Sequence, residues 1–532
     1  MSQARAVASG MAALCLVAGA GFAWAVAGVA WRFPGQLDSD AAVPALLARE
    51  MLARRAWVPS SWYYVNDDIW LLAPQLFCLP AVAVLGPTGR AVLLGNLLGL
   101  ALAGGCLFLL TRRLCQDGAV ALVAALAVLA PFSAMQVQMV YLQLAYGWIT
   151  GLLALLAYLA LGILPDEASP EASGAGLPPA LWAYGALGAF LAAGNLARAL
   201  FYWWLPFSLT CLLGAPGLWR SPRARVLLAV TAGAMAVGAA VHFVLRSSLH
   251  LKPWVSAFRT AGGWGQKMGF LWEGLPRLVG TPALAAGPAA PWEAALAAVR
   301  VLFFAGALVA MVLAWRGRGV AAPERLAGRL VSLMLASVLL AFVVSRVAVA
   351  AASIRYLLPP VLLGLLVLVA LAVRRWSDRR PAVLALTAAL AAAFVGGGAL
   401  AARGNAAPTS CGGPERLCPL LAAAGEAGLR AGLSTYWNAN AATLASGGQV
   451  RVCPVSLDPP LSPQRWLTSS DCFRSAGYRD GFFVALATGE REASAGVVRA
   501  TLGEPERTVV AGELELWIYP PAEGRDWRWL ER

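Results

Sequence analysis

The sequence predicts an all-α polytopic membrane domain with a small C-terminal extracytoplasmic α/β domain. Of its 532 residues, 60% are hydrophobic and only 13% are charged, which lies outside the composition of soluble domains. Apolar runs of about 20 residues recur between short clusters of Arg, Gly and Pro, and each run can cross the hydrocarbon core as a helix. Beyond residue 402 the composition becomes mixed. We therefore expect a membrane domain over 1–402 and an α/β domain over 403–532.

About eleven transmembrane helices are expected. The first apolar run continues into Trp31 and Arg32 without a cleavage site, so we interpret it as a retained helix and not as a signal peptide. The stretch 69–85 contains Pro74 and Pro80 and is short, so we expect an interfacial helix there. The predicted spans are 7–30, 90–110, 119–135, 143–163, 180–196, 199–215, 226–246, 293–315, 327–346, 356–373 and 381–402.

The arginines predict the orientation. Cytoplasmic loops of membrane proteins are enriched in Lys and Arg, so the net charge of +14 reports topology and not a nucleic-acid partner. With a cytoplasmic N-terminus, four of the inside loops carry arginines and the C-terminus lies outside. The bias towards Ala, Arg and Gly suggests a bacterial inner membrane. The inside arginines are Arg112, Arg113, Arg220, Arg223, Arg225, Arg316, Arg318, Arg325, Arg329, Arg374, Arg375, Arg379 and Arg380.

Nine cysteines fall into two groups. Those of the membrane domain have no metal-like spacing and are interpreted as small core residues: Cys15, Cys78, Cys106, Cys115 and Cys211. The four beyond the last span predict two disulfides, since their number is even and the domain is exported. Three pairings exist, and proximity favours Cys411 with Cys418 and Cys453 with Cys472. A zinc site is the alternative, but no Cys-x-x-Cys spacing or accompanying His supports it.

The outer loop 31–90 is rich in acidic side chains: Asp38, Asp40, Glu50, Asp67 and Asp68. Asp40 could simply cap a helix over 41–54, with Leu46, Leu47 and Met51 on its membrane face. Alternatively, Asp38 and Asp40, faced by Asp67 and Asp68, could supply a general base and its positioning partner. The aromatic run that ends at Tyr64 fits either a sugar-binding surface or an interfacial belt.

Three features resemble the GT-C glycosyltransferases. They are the loop sequence LDSDAAVPALLARE after the first span, Asp68 six residues before Pro74, and the RYLLP motif that starts at Arg355 and Tyr356. The resemblance covers the whole chain in layout. Within the superfamily, it is greatest to the bacterial branch related to protein O-mannosyltransferases and to the lipid A aminoarabinose transferase.

The resemblance implies catalytic roles for Asp40, Asp38 and Asp68. Asp40 matches the first position of the family's acidic pair, which serves the acceptor. The second position holds Ala41, so either Asp38 replaces the missing carboxylate, or the acceptor differs, or the activity is lost. Asp68 matches an acidic position of the second interfacial helix.

A lipid-linked sugar phosphate needs cations to hold its phosphate. Arg355 is the best candidate, although it could merely snorkel to the membrane surface. Tyr356, Asp67, Tyr64 and Lys267 complete the expected substrate-binding set. Arg198, Arg277 and Arg346 are weaker candidates.

Two histidines and a tryptophan-rich outer loop are the remaining candidate features of the sequence. His242 and His250 have no metal-like neighbours in the sequence, and we interpret them as satisfied or solvated residues. We therefore predict no metal ligands, although binding of a divalent cation stays possible. The outer loop 247–291 carries Trp254, Trp264 and other tryptophans, which suit either a mobile lid or an aromatic anchor. Trp264 lacks helical neighbours in the sequence.

The tail alternates strand-like and helical segments, which predicts a small α/β domain. The segment that begins at Ser434 resembles the extracytoplasmic tail of some bacterial transferases. Thr435 stands where a few of those sequences carry an acid before the Tyr-Trp pair, so we assign the tail no catalysis. We expect it to bind or position an acceptor, or to shield the active site.

The function predicted from the sequence is an inverting glycosyltransferase. It would move a sugar from a polyprenyl-phosphate donor to a cell-envelope glycan, lipid or protein acceptor outside the cytoplasm, because direct displacement by a base-activated acceptor inverts the anomeric carbon. No Gly-rich nucleotide loop is visible in the sequence. A lipid or polysaccharide transporter is one alternative, although neither inverted repeats nor mid-membrane ionisable residues are clear. A non-catalytic membrane scaffold is another.

Overall fold

The structure is a computed structural model. It describes residues 2–71, 73–164, 179–213, 218–252, 263–281, 290–317, 320–345, 348–401, 411–487, 491–521 and 527–531. The described residues are mainly helical up to residue 401 and form an α/β arrangement beyond residue 410, which confirms the predicted fold class. The outcome follows from composition, since a backbone in lipid must satisfy its hydrogen bonds within each helix.

The helices follow the apolar runs. They are α1 (Ser2–Gln36), α2 (Ser39–Arg54), α3 (Gln75–Leu85), α4 (Gly89–Cys115), α5 (Gly118–Leu129), α6 (Ala134–Gln136), α7 (Ala145–Ile163), α8 (Pro179–Gly194), α9 (Leu196–Ala199), α10 (Leu205–Leu213), α11 (Pro222–Ser248), α12 (Trp264–Val279), α13 (Pro291–Arg316), α14 (Ala322–Val344), α15 (Leu358–Arg375), α16 (Arg380–Leu390), α17 (Gly397–Ala401), α18 (Cys418–Glu426), α19 (Tyr436–Ala445), α20 (Arg491–Leu502) and α21 (Arg528–Glu531). Three π-helical segments interrupt them, at Val137–Leu142, Leu200–Trp204 and Ala391–Gly396.

All eleven predicted spans overlap helices of the described residues. Among the described residues, nine helical stretches are long and apolar enough to cross a membrane. A tenth stretch, Gly118–Leu129 with Ala134–Leu142, bends by 91° at a break that contains Pro131, where proline ends the helical hydrogen bonding. The eleventh, α8, has 16 residues and is about 24 Å long, short of the ~30 Å hydrocarbon core. The chain is a multi-pass membrane protein.

The chain divides into two compact units. The first, called the helical unit, comprises Met1–Val29, Gly99–Phe243 and Val255–Gly404. The second, called the mixed unit, comprises Ala30–Leu98, Val244–Trp254 and Asn405–Arg532. The outer loop after the first helix therefore belongs to the same compact unit as the tail.

Close helix contacts and paired charges characterise the helical unit. A Cβ atom at Gly151 of α7 would stand 2.6 Å from Cα of Ala103 in α4, so only glycine permits this approach. Glu324 is fully buried and accepts a 2.7 Å hydrogen bond from Arg374. Arg300, only 5% exposed, donates to the carbonyls of Ala393 and Gly280 at 3.1 and 2.6 Å. These buried charges are engaged by the protein itself.

The strands lie in the mixed unit. A short parallel pair joins β1 (Tyr63–Val65) to β2 (His250–Lys252). The remaining strands are β3 (Ala431–Ser434), β4 (Arg451–Ser456), β5 (Ser462–Pro463), β6 (Phe482–Ala487), β7 (Arg507–Ala511) and β8 (Leu514–Tyr519). They form one sheet in the order β5-β4-β3-β6-β8-β7, with β4, β3 and β6 parallel to one another and the other neighbours antiparallel.

Both faces of this sheet are covered. Phe482 and Val484 point into one apolar cluster, and Phe483 and Ala485 point into the other. This alternation explains why β6 reads as a continuous apolar run, as strands buried on both faces do. The predicted disulfides Cys411–Cys418 and Cys453–Cys472 are both present, with Cα atoms 5.2 and 5.5 Å apart.

Helix α2 is buried more deeply than its sequence suggests. It packs between α3 and α19, and residues 41–48 are all buried. Leu46, Leu47 and Met51 are therefore covered by protein, and the prediction that they form a membrane face is wrong. A helix face that binds lipid and one that binds protein have similar apolar composition, which is why the sequence did not separate them.

Candidate active site

Asp38 begins helix α2 as its N-cap. Its backbone is extended, and its Oδ1 accepts a 2.7 Å hydrogen bond from the amide of Ala41. This satisfies one of the amide groups that lack a partner in the first helical turn. The predicted cap was Asp40, but the helix begins two residues earlier than expected. The prediction that Asp40 is the cap is therefore wrong.

Asp40 lies in the first turn of α2 and contacts the tail segment of the mixed unit. The hydroxyl of Tyr436 donates a 2.5 Å hydrogen bond to Oδ1 of Asp40, and the hydroxyl of Ser39 donates to the carbonyl of Tyr436. Burial is the largest cause that raises the pKa of Tyr436, and the charge on Asp40 raises it further. Tyr436 therefore stays protonated near neutral pH and fixes the orientation of the Asp40 carboxylate.

The departure from the acidic pair at Ala41 has a structural explanation. Ala41 is fully buried, on the helix that packs between α3 and α19. A longer acidic side chain there would bury a charge among apolar neighbours, which is costly. The structure places the hydroxyl of Tyr436 on Asp40.

Asp67 and Asp68 lie in a strained turn after β1. Asn66, Asp67 and Trp70 have positive φ angles of 61°, 52° and 59°, which non-glycine residues rarely adopt. Asp67 lies 3.5 Å from Arg246, and Asp68 accepts a 3.1 Å hydrogen bond from the amide of Trp70. Such strain is common at functional sites, so the turn remains a candidate.

Tyr64 occupies a different environment from these acids. Its side chain is only 1% exposed, and its hydroxyl donates to the carbonyl of Pro59 at 3.3 Å. Burial, followed by the charge on Glu50, raises the pKa of Tyr64. These are the contacts of a core residue, and its substrate-binding role stays a prediction.

A groove of about 1070 Å³ opens beside Tyr436 within the mixed unit, and we call it the tail groove. Its lining comes from Tyr63, the segments 249–252, 435–437 and 455–465, and Ser494. Trp437, next to Tyr436, is 58% exposed. Since Tyr436 both lines the groove and bonds Asp40, the groove adjoins the candidate base.

The cations of the tail groove rest on aromatic rings. Lys252 lies over Trp466 at 5.5 Å from the ring centroid, and Arg465 lies 5.9 Å from the ring of Tyr63. Arg465 also donates to the carbonyl of Glu531 at 2.9 Å. Cation–π contacts of this kind restrict the side chains without neutralising their charge.

A second cluster lies in the helical unit and contains Arg355. The guanidinium of Arg355 stands 5.6 Å from the ring centroid of Tyr356 and hydrogen-bonds the hydroxyl of Tyr146. Arg198 lies near both Tyr146 and Tyr202. We call these five residues the arginine–tyrosine cluster. It combines two guanidinium groups with hydroxyl donors, which is chemistry suited to phosphate.

The backbone around the cluster is irregular. Tyr202 lies in the π-helical segment Leu200–Trp204, and its hydroxyl donates to the carbonyl of Tyr356 at 2.7 Å. Arg355 and Tyr356 lie in a 3₁₀ turn, Ala351–Leu357, that precedes α15. π-Helical segments are frequent at functional sites because they redirect side chains.

Helix α12 supports this turn and contains Lys267. A Cβ atom at Gly274 would lie 2.6 Å from Cβ of Ile354, so glycine allows α12 to approach the turn that carries Arg355. Lys267 is buried and donates to the carbonyls of Val343 and Ser345, both at 2.7 Å. Those carbonyls end α14, where a cation is favourable. Its predicted role in substrate binding stays untested.

Other predicted residues fall outside these clusters. Trp264 begins α12, so the prediction that it lacks helical neighbours is wrong. Arg277 lies on the exposed side of the same helix, while Arg346 and Trp254 lie outside the described residues. His242 is buried and its Nδ1 lies 3.0 Å from the carbonyl of Ala193, as expected of a satisfied histidine.

Two solved structures share the architecture described above. Both are of ArnT from Cupriavidus metallidurans, at 14% sequence identity and a TM-score of 0.54. The apo structure matches over 96% of this chain and 98% of that chain. The structure bound to undecaprenyl phosphate matches over 96% and 97%. The chain has the fold of ArnT. No protein-family model and no curated protein sequence matches this chain.

The ArnT fold confirms the predicted layout of a helical membrane domain with a C-terminal α/β domain. Within that fold, sequence reasoning missed Tyr436 as the partner of Asp40, although it noted the Tyr-Trp pair. It also missed Tyr146 and Tyr202 beside Arg355. Tyrosines within otherwise apolar runs were the available signal, because a buried hydroxyl usually has a hydrogen-bond partner.

Within the described ranges, no group of three His, Cys, Asp or Glu side chains gathers closely enough to hold an ion. A divalent cation bound jointly with substrate phosphate stays an open prediction.

Proposed function

We propose that this chain is an inverting glycosyltransferase that uses a polyprenyl-phosphate sugar as donor. The observation that carries the proposal is the hydrogen bond from buried Tyr436 to Asp40, because it orients a carboxylate as a general base requires. The ArnT fold supports the reaction class, and one ArnT structure contains undecaprenyl phosphate.

The arginine–tyrosine cluster is the proposed donor site. Arg355 and Arg198 would bind the donor phosphate and stabilise the charge that develops on it as the glycosidic bond breaks. The hydroxyl of Tyr146, already bonded to Arg355, would add a neutral donor. Tyr356 would position Arg355 through its ring.

In the proposed reaction, Asp40 removes the proton from the acceptor hydroxyl. The acceptor oxygen forms a bond to the anomeric carbon while the bond from that carbon to the phosphate oxygen breaks. The polyprenyl phosphate leaves with the electron pair, and the proton on Asp40 passes to solvent. Attack from the side opposite the leaving group inverts the anomeric configuration. Asp38 would act indirectly, by holding the first turn of α2 that presents Asp40.

The proposed location is the bacterial inner membrane. The N-terminus would be cytoplasmic and the mixed unit extracytoplasmic, because that orientation leaves the arginine-rich loops inside. The two disulfides of the tail support this assignment, since they form in oxidising compartments.

The test measures sugar transfer in membranes that contain equal amounts of each protein, with a panel of labelled polyprenyl-phosphate sugars and envelope extract as acceptor. Asp40→Asn should reduce transfer at least about 100-fold, since general-base catalysis contributes that much. Asp480→Asn is the matched control, because Asp480 is an exposed acid of the same unit. Equal transfer by Asp40→Asn and wild type would refute the proposal.

A further inference from the structure

The tail groove has the composition of a sugar-binding site. Trp437 presents an exposed indole, and such rings bind the apolar faces of sugars. Serine and glutamine side chains and backbone groups of the segment 455–465 also line the groove and can hydrogen-bond hydroxyl groups. An apolar platform with nearby polar groups fits a polyhydroxylated ligand better than a lipid tail.

The charge of the groove favours an anionic ligand. Lys252 and Arg465 both line it, and each is placed by cation–π contact. Asp458 is the acidic side chain among the lining residues, and it is exposed and bonded to Ser456. The two cations therefore exceed the single carboxylate and could bind a phosphate or carboxylate on a sugar.

The position of the groove connects it to the candidate base. Tyr436 forms part of its wall, while the hydroxyl of Tyr436 donates to Asp40. An oligosaccharide bound along the groove would bring one end close to that hydrogen bond. All of these residues belong to the mixed unit.

We propose that the tail groove binds an acidic oligosaccharide and that this oligosaccharide is the acceptor. The binding step stands on the groove alone, whereas the acceptor role rests on the proposed glycosyltransferase activity. Trp437 stacks on one sugar ring, and Lys252 with Arg465 binds its anionic substituent. Tyr436, which lines the groove and contacts Asp40, directs the reacting hydroxyl of the glycan onto that carboxylate, where the hydroxyl gives up its proton.

Binding is tested without donor, so that its result does not depend on catalysis. The full-length protein in nanodiscs is titrated with phosphopentamannose, with mannopentaose as the uncharged match, and with tetragalacturonate as a carboxylate-bearing probe. We expect one or both acidic probes to bind at least about tenfold more tightly than mannopentaose, and the difference to shrink as salt rises. A preference for the phosphate or the carboxylate probe identifies the anionic group.

Three variants assign the binding to the groove. Trp437→Ala and Lys252→Gln change exposed side chains and should each weaken binding of the acidic probe about tenfold. Arg465→Gln should weaken binding of the acidic probe by more than either of these two substitutions does. Trp57→Ala is the matched control, since Trp57 is an exposed tryptophan of the same unit that does not line the groove, and it should bind normally.

The outcomes separate this inference from the proposed function. The groove assignment would be overturned if neither acidic probe binds. It would also be overturned if the Trp437→Ala and Lys252→Gln variants bind the acidic probe as tightly as wild type does. Both conclusions would hold even if sugar transfer is observed. Normal binding with no transfer from any donor would instead refute the glycosyltransferase and remove the acceptor role. If wild type transfers sugar but Trp437→Ala changes neither the rate of transfer nor the KM for the acceptor, the oligosaccharide bound in the tail groove is not the acceptor.

Discussion

Removing one hydroxyl tests how the candidate base is positioned. In Tyr436→Phe the ring keeps its packing, but Oδ1 of Asp40 loses a 2.5 Å hydrogen bond. A hydrogen bond to a charged group contributes roughly 1.5–3 kcal/mol, and a loss of that size in the transition state corresponds to about 10- to 100-fold in rate. Part of this loss would be recovered if water reached the carboxylate, so we expect a decrease in kcat of about tenfold.

The assay is steady-state transfer by purified protein at saturating donor. We expect kcat to fall while the KM for the donor stays unchanged, because the hydroxyl contacts the base and not the donor site. Tyr478→Phe is the matched control, since this buried tyrosine donates to the carbonyl of Cys472 in the same unit. An unchanged kcat in Tyr436→Phe, or an equal decrease in Tyr478→Phe, would refute the positioning argument.

Three further predictions concern α2 and the buried tyrosines. Asp38→Ala should lower the free energy of unfolding by about 1 kcal/mol, because it removes the N-cap, whereas Asp38→Asn should preserve both stability and transfer. Chemical denaturation and the transfer assay check this, and loss of transfer in a stable Asp38→Asn protein would contradict it. Ala41→Glu should destabilise the protein by on the order of 3 kcal/mol, because it buries a charge. Ala41→Ser is its control. An unchanged denaturation midpoint in Ala41→Glu would contradict the burial of this position. Burial raises the pKa of Tyr436 and Tyr64, so these hydroxyls stay protonated in the folded state at pH values where the unfolded chain releases its protons. Stability should therefore be fully present below about pH 10 and fall above it by about 1.4 kcal/mol per pH unit for each such tyrosine. Unfolding followed from pH 8 to 11 checks this, with a shallower slope expected for Tyr436→Phe.

The membrane helices were predictable because their signal is local. An apolar run long enough to span lipid has few alternatives to a helix, and arginines mark the ends of several runs. The signal of strand β6 was equally local, since it is buried on both faces and reads as an unbroken apolar segment. Proximity in sequence was also sufficient for Cys411–Cys418 and Cys453–Cys472.

Contacts between distant segments were not predictable. Asp40 and Tyr436 are separated by 396 residues, and their hydrogen bond exists only because α2 packs on α19. The same packing buries Leu46 and Met51, which the sequence had assigned to a membrane face. The cap was misplaced from Asp38 to Asp40 because either acid can begin a helix, and only the backbone shows which one does.

The central claim is that Asp40 acts as base in sugar transfer from a lipid-linked donor. Its most direct test measures free polyprenyl phosphate and glycosylated acceptor together, by mass spectrometry, after purified protein is mixed with a labelled polyprenyl-phosphate sugar and envelope extract. We expect equal amounts of the two products from wild type and almost none from Asp40→Asn. Product formation by Asp40→Asn at the wild-type rate, or no product from wild type with any donor of the panel, would contradict it.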